Sequence, residues 1–154
     1  MMNDVNTQPV HEVYRTSRGE NHVWKLEGLL HRVDGPALIG PGGHAWYNQG
    51  ILHRTDGPAI VTTSGEEKWI QQGLLHRVHG PAKKDAHGNQ SWYQNGCHHR
   101  QDGPAIERAD GYQAWYCHGV RHRQHGPAVI HPDGTQEWWV NGKQIIPHNL
   151  KEGI

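Results

Sequence analysis

Short stretches of alternating apolar and polar residues run along the chain, and glycine or proline interrupts them about every ten residues. No stretch has the i, i+3, i+4, i+7 spacing of apolar residues that an amphipathic helix needs. Residues 90–94, Gln-Ser-Trp-Tyr-Gln, have the character of a strand and lead into Asn95-Gly96. This dipeptide is typical of the type I′ turn of a β-hairpin, because both central residues of that turn have positive φ. The pattern therefore predicts strands joined by tight turns, and no helix.

The pattern recurs every 22 or 23 residues. One copy reads Gly-x-x-x-Trp-Tyr-x-Asn-Gly-x-x-His-Arg-x-Asp-Gly-Pro-Ala, followed by a short variable stretch. Such self-similarity is the signature of a repeat architecture. The tryptophan recurs at Trp24, Trp46, Trp69, Trp92, Trp115 and Trp138. A His-Arg pair recurs at His31-Arg32, His53-Arg54, His76-Arg77, His99-Arg100 and His122-Arg123. The Gly-Pro-Ala tripeptides begin at Gly35, Gly57, Gly80, Gly103 and Gly126.

A second glycine turn lies half a repeat away from the first, at Gly65, Gly88, Gly111 and Gly134. Two turns in each repeat indicate two strands in each repeat. We therefore predict an all-β fold, an elongated stack of antiparallel β-hairpins of about 23 residues each. Strands ~4.8 Å apart make each repeat advance roughly 10 Å, and each repeat contacts only its neighbours. In this single domain, residues 1–18 form an N-terminal arm or cap, 19–142 five and a half hairpin repeats, and 143–154 a C-terminal cap strand and tail.

Composition changes this picture in two respects. Lys and Arg number 15, as do Asp and Glu, so the net charge is zero, which argues against a strongly basic nucleic-acid binder. Val, Ile and Leu make up only about 18% of the 154 residues, and Phe is absent, which is too little for a thick core. The seven tryptophans offer a substitute, because one buried indole removes 150–250 Å² from water. We expect the tryptophan column to form a thin core.

Localisation follows from what the sequence lacks. It has no apolar stretch long enough for a transmembrane helix and no N-terminal signal pattern. Cys97 and Cys117 are too few for a disulfide framework, so we expect free thiols in a reducing cytoplasm.

Residues 93–99, Tyr-Gln-Asn-Gly-Cys-His-His, resemble the MORN (membrane occupation and recognition nexus) repeat in aromatic placement, Asn-Gly turn and period. The resemblance covers residues 19–148 and implies a curved hairpin array that serves as a scaffold or binding platform without catalysis. The chain departs from MORN units after the turn, where it has His-Arg-x-Asp-Gly-Pro-Ala instead of His-Gly-x-Gly. This variant is similar to repeat proteins of bacteriophages and large viruses. The neutral charge does little to support the membrane association in the family's name.

The recurring polar residues have a structural interpretation. Arg and Asp two positions apart share one face of a strand, so each arginine can pair with the aspartate of its own or a neighbouring repeat while the histidine caps backbone groups near the Gly-Pro break. The residues assigned to this structural repeat are the six tryptophans together with His31, Arg32, His53, Arg54, His76, His99, Arg100 and His122.

Two repeats depart from this pairing, because His79 and His125 replace the aspartate beside Arg77 and Arg123. Arginine and histidine beside aromatic rings form a candidate anion or nucleotide-phosphate site.

A second column lies next to the tryptophans and points to the opposite face. It contains Lys25, Tyr47, Ile70, Tyr93, Tyr116 and Trp139. An exposed aromatic row is a common protein-binding surface, and we assign Tyr47, Tyr93, Tyr116 and Trp139 to it. The sequence leaves open which of the two columns is buried.

Metal and catalytic sites are not predicted. The histidines and the two cysteines tempt a zinc assignment, but columns ~10 Å apart should not share one ion, and no nucleophile motif surrounds Cys97 or Ser64. We predict no cofactor and a non-catalytic repeat scaffold that binds a partner protein, in a viral setting as an inhibitor of a host system. The first alternative is a protein that sequesters a small anionic ligand, and the second, least supported, is a metal-dependent enzyme. Oligomers would form through the terminal or aromatic faces.

Overall fold

A computed structural model of the chain describes residues 8–146, and these contain 22 β-strands and no helix. All of the strand pairs are antiparallel. The prediction of an all-β fold of antiparallel hairpins is thereby confirmed. The chain divides between His76 and Arg77 into two compact units.

The first unit contains eleven strands, and its main sheet has the order β1-β2-β4-β5-β8-β9. Strand β3 pairs with β2, and the pairs β6-β7 and β10-β11 form two-stranded sheets of their own. The strands are β1 Val10–Thr16, β2 Gly19–Leu26, β3 Leu29–Leu30, β4 Leu38–Gly40, β5 Gly43–Ala45, β6 Tyr47–Asn48, β7 Ile51–Leu52, β8 Ile60–Thr62, β9 Glu67–Lys68, β10 Ile70–Gln71 and β11 Leu74–Leu75.

The second unit repeats this plan, with the sheet order β12-β13-β16-β17-β20-β21-β22. The pairs β14-β15 and β18-β19 again form separate two-stranded sheets. The strands are β12 Lys83–Lys84, β13 Gln90–Ser91, β14 Tyr93–Gln94, β15 Cys97–His98, β16 Ile106–Glu107, β17 Gln113–Ala114, β18 Tyr116–Cys117, β19 Val120–Arg121, β20 Val129–Ile130, β21 Gln136–Val140 and β22 Lys143–Ile145.

Each repeat contains four short strands instead of the two expected, because the chain changes pairing partner at the tryptophan. The Trp46 N–H donates to the carbonyl of Ala59 at 2.8 Å, whereas its carbonyl accepts the N–H of His53 at 3.2 Å. Strand β5 therefore pairs with β8 on one side of Trp46, and β6 pairs with β7 on the other. The seven residues 53–59, His-Arg-Thr-Asp-Gly-Pro-Ala, form the loop between β7 and β8.

The tight turns are of the predicted type I′. Asn95 and Gly96 have φ of 49° and 79°, so both central residues are left-handed. Other repeats impose the same conformation on less suitable residues, such as Gln49 with φ of 48° and His118 with φ of 47°. Asparagine tolerates this region better than longer side chains do.

We therefore expect Gln49→Asn to raise the free energy of unfolding by up to about 1 kcal/mol. The reverse exchange, Asn141→Gln, should lower it by a similar amount, because Asn141 has φ of 50° in the equivalent turn. Urea denaturation of both variants measures the two effects. A shift of the same sign in both variants would contradict the explanation.

The fully buried column consists of alanine, whereas tryptophan was expected. The alanine that ends each Gly-Pro-Ala tripeptide has no exposed surface; these residues are Ala37, Ala59, Ala82, Ala105 and Ala128. Trp92 is 9% exposed, while Trp24, Trp46, Trp69, Trp115 and Trp138 are half-buried. The core is thin because alanine methyl groups make up most of its fully buried side chains, whereas the indoles, apart from Trp92, are only half-buried.

The two ends differ from the repeats. Strand β1 forms a hairpin with β2, from Val10 opposite Lys25 to Thr16 opposite Gly19, and all seven of its residues are exposed. Strand β22 pairs with β21 and is exposed along its length. Residues 1–7 of the predicted arm and 147–154 of the predicted tail lie outside the described residues. No helix in the described part of the chain is long and apolar enough to span a membrane.

Candidate binding surface

The loop between the short hairpin and the main sheet positions an arginine above a tryptophan. In the first unit, the Arg54 guanidinium carbon lies 3.9 Å from the centre of the Trp46 ring. Its Nε donates to Asp56 at 2.8 Å, and its Nη1 donates to the carbonyl of Pro58 at 3.3 Å. Arg100 makes the same three contacts with Trp92, Asp102 and Pro104 in the second unit. The guanidinium thus stabilises the loop that contains it by bonding to two other residues of that loop.

A glycine makes this stacking sterically feasible. A Cβ atom on Gly57 would lie 2.5 Å from the guanidinium carbon of Arg54, closer than real side chains approach. The arginine is therefore held between the indole on one side and the bare glycine backbone on the other. This contact explains the glycine of the Gly-Pro-Ala tripeptide.

The neighbouring arginine lowers the pKa of the aspartate in three of the loops. The hydrogen bond from Arg54, followed by its positive charge, holds the pKa of Asp56 below its ordinary value, and Arg32 and Arg100 do the same for Asp34 and Asp102. The carboxylates are about four-fifths exposed. These ion pairs therefore lie on a solvated surface, and the aspartate neutralises most of the arginine charge that a ligand could otherwise use.

In four of the five His-Arg pairs, the histidine joins one hairpin to the next within the same unit. The Gln49 N–H, at a left-handed turn position, donates to Nδ1 of His31 at 3.2 Å. His53, His99 and His122 accept from Gln72, His118 and Asn141 in the same way, at 3.1–3.2 Å. The histidine thus caps a backbone group of the following turn, which differs from the Gly-Pro break that the sequence suggested.

The two departures from the repeat change the loop backbone. Gly80 and Gly126, which follow His79 and His125, have φ of 110° and 115°, whereas the glycines at the same loop position after aspartate do not have positive φ; these are Gly35, Gly57 and Gly103. His125 offers no carboxylate to Arg123, whose guanidinium stacks on Trp115 at 3.9 Å and donates to the Pro127 carbonyl at 3.0 Å. A groove of about 490 Å³ beside this loop is lined by Trp115, Arg123 and His125, and also by Asp102.

Arg77 and His79 lie along another groove of the second unit, of about 490 Å³, which Trp92, Arg100 and Asp102 also line. Arg77 donates to the Pro81 carbonyl at 3.1 Å. Anion binding by Arg77, His79, Arg123 and His125 stays a prediction.

The second aromatic column is half-buried. His98 lies between Tyr93 and Tyr116, with ring centres 4.0 and 5.2 Å away. Burial lowers the pKa of His98, and burial followed by the Tyr116 charge raises that of Tyr93.

The remaining members of the column are engaged in similar ways. Tyr116 accepts a hydrogen bond from Arg121 at 3.2 Å, Trp139 donates to Glu137 at 2.7 Å, Ile70 is buried and Tyr47 is half-buried. Each aromatic ring therefore presents only part of its surface to solvent.

A row of exposed apolar side chains follows the tight turns, and the sequence reasoning missed it. In the first unit, Leu29, Ile51 and Leu74 are 51%, 48% and 49% exposed. Each occupies the position directly after the turn glycine, so the signal was the recurrence of an apolar residue there. Leu29 lies 3.5 Å from the Cβ position of Gly50, and Ile51 lies 3.5 Å from that of Gly73. In the second unit, the same position holds the exposed residues Cys97 and Val120.

Three potential metal ligands meet in the second unit. Ligand atoms of His99, Cys117 and His118 all lie within 4.8 Å of one another. The two imidazole rings are stacked, with centres 4.2 Å apart. The expectation that residues of successive repeats lie too far apart to share an ion is wrong here, because the return segment of one hairpin borders the turn of the next. The return segment and the next turn are separated by one strand spacing, about 4.8 Å, whereas equivalent residues of successive repeats are separated by about twice that distance.

Comparison with known proteins adds no assignment: no protein-family model, curated protein or solved structure matches the chain.

Proposed function

We propose that this chain is a non-catalytic repeat protein that binds a partner protein along the row Leu29, Ile51 and Leu74. The observation that carries the proposal is the exposure of about half of each side chain at the same place in three successive repeats. Scattered apolar residues are ordinary on a protein surface, but an aligned set is typical of an interaction site. The resemblance to MORN repeats and to viral repeat proteins supports the same class of function and suggests a host protein as the partner.

The spacing of the row favours an amphipathic helix on the partner. Two sheet strands separate successive members of the row, which corresponds to about 10 Å. Seven residues of an α-helix rise about 10.5 Å. A helix lying along the row would therefore present one apolar side chain to each of the three hairpins, as helices do in apolar grooves.

Two other surfaces support a binding function less well. The rings of the second aromatic column already contact neighbouring side chains, such as His98 beside Tyr93. In the groove beside Arg123, the carboxylate of Asp102 is among the lining groups and would repel an anion. We therefore prefer a protein partner to a small anionic ligand.

The proposal predicts the behaviour of the triple variant Leu29→Ser, Ile51→Ser, Leu74→Ser. Immobilised wild-type protein is exposed to a host-cell lysate and to a synthetic amphipathic helix with leucine at every seventh position. We expect the variant to bind the peptide at least about tenfold more weakly, since three apolar contacts are lost. It should also lose the lysate proteins that wild type retains in a fixed ratio.

The matched control is Val33→Ser, which removes an apolar side chain that is 87% exposed on the loop after β3 and is not a member of the row. This variant should bind as wild type does. Equal binding by wild type and the triple variant, at unchanged melting temperature, would overturn the proposal. A peptide with leucine at every fifth position should bind less tightly than the seven-residue one if the spacing matters.

A further inference from the structure

We propose that His99, Cys117 and His118 bind one zinc ion at the junction of two successive hairpins in the second unit. The ligand set contains two imidazoles and one thiolate, which suits zinc, and leaves a fourth position for water. The site is independent of the apolar row and of the partner proposed above.

The distances are close to what zinc requires. Bonds of 2.0–2.3 Å in a tetrahedral arrangement place ligand atoms about 3.5 Å apart, and the three ligand atoms here lie within 4.8 Å of one another. Zinc binding must bring the three ligand atoms closer together, and we expect His118 and Cys117 to make this movement. His118 is exposed at the turn and Cys117 is half-buried, whereas His99 is only 5% exposed and fixed by its surroundings.

The orientation of His99 determines which atom binds. Its Nδ1 faces the turn and accepts the N–H of His118 at 3.2 Å, so in the neutral ring the proton is on Nε2. The single lone pair on Nδ1 of His99 can bind either the His118 N–H or a zinc ion. Zinc at Nδ1 therefore displaces the His118 N–H. The exchange is favourable if the three metal–ligand bonds together contribute more than the one backbone hydrogen bond that is lost, whose net contribution is modest.

The other junctions provide internal comparisons. His31, His53 and His122 accept the same backbone bond from turn residues Gln49, Gln72 and Asn141. The residues before these turn positions are Asn48, Gln71 and Val140, so no thiol or second imidazole is present there. In this respect the junction at residues 117–118 differs from equivalent junctions with the same backbone geometry.

Cobalt(II) titration of the reduced full-length chain tests the site, because a cobalt–thiolate bond gives a charge-transfer band. We expect one equivalent of cobalt to bind, with zinc displacing it. Cys117→Ser should abolish the band, and His118→Asn, which installs the residue of other turns, should weaken binding at least about tenfold. Cys97→Ser, which removes the other, exposed thiol, should leave it unchanged. Retained melting temperatures show that the variants are folded.

A second readout follows the displaced hydrogen bond. Zinc should shift the backbone amide resonance of His118, while the amides of Gln49 and Asn141, which donate to His31 and His122, stay in place. No band with wild type, a band that survives Cys117→Ser, or a band lost in Cys97→Ser would overturn the proposal. An unmoved His118 amide at saturating zinc would overturn the assignment of Nδ1 as the ligand.

Discussion

Replacing Trp92 with alanine is expected to lower the free energy of unfolding by about 3–5 kcal/mol. Trp92 is the most buried of the repeat tryptophans, with 9% of its surface exposed. Its backbone bonds, from its N–H to Ala105 and from His99 N–H to its carbonyl, do not depend on the side chain. The loss therefore comes from the indole, which is largely buried and lies under the guanidinium of Arg100 at 3.9 Å. Thermal unfolding should shift downward by roughly 10 °C or more.

Two comparison variants separate the contributions of the ring. Trp92→Phe keeps an aromatic surface under Arg100 and should lose clearly less stability than Trp92→Ala. Trp46→Ala removes a half-buried indole from the equivalent stack and should also cost less. A double-mutant cycle of Trp92→Ala with Arg100→Ala should give a coupling of about 0.5–2 kcal/mol. A loss below about 1 kcal/mol for Trp92→Ala would show that the stack contributes little to stability.

The repeat itself made the hairpin fold predictable. The Asn-Gly pair requires two left-handed residues, and this requirement identified the type I′ turn before any coordinate was known. Once Asn95-Gly96 is a turn, the 23-residue period transfers the same turn to Gln49 and His118, where the side chain alone gives no such signal. Local backbone chemistry was sufficient because the contacts that form the hairpins are close in sequence.

The packing was less accessible from the sequence. Trp46 ends one strand pair and begins another, which no turn residue announces. The alanine of Gly-Pro-Ala received no role in the sequence analysis, because alanine carries no strong hydrophobic signal of its own. A zinc site among the histidines and cysteines was considered and rejected, because the separation of His99 from Cys117 and His118 was taken to be that of a full repeat. The relevant distance, between the return segment of one hairpin and the turn of the next, is one strand spacing. It depends on which strands are neighbours.

Replacing Ala105 with leucine is the second change with a large expected effect, a loss of about 3 kcal/mol of unfolding free energy. Ala105 has no exposed surface, and its carbonyl accepts the N–H of Trp92 at 2.8 Å. Three additional carbon atoms must enter a space in which the alanine side chain already has no access to solvent. A thin core of methyl groups has little room to repack, because close-packed interiors contain few voids.

The matched control is Ala109→Leu, in the same unit but at an exposed turn position. It should change the free energy of unfolding by no more than about 0.5 kcal/mol. Urea denaturation of both variants gives the comparison directly. A large loss at Ala105 with none at Ala109 would mean that the alanine column limits how closely the hairpins approach each other. Equal, small losses would show that the repeat tolerates larger side chains there, and that tryptophan alone sets the thickness of the core.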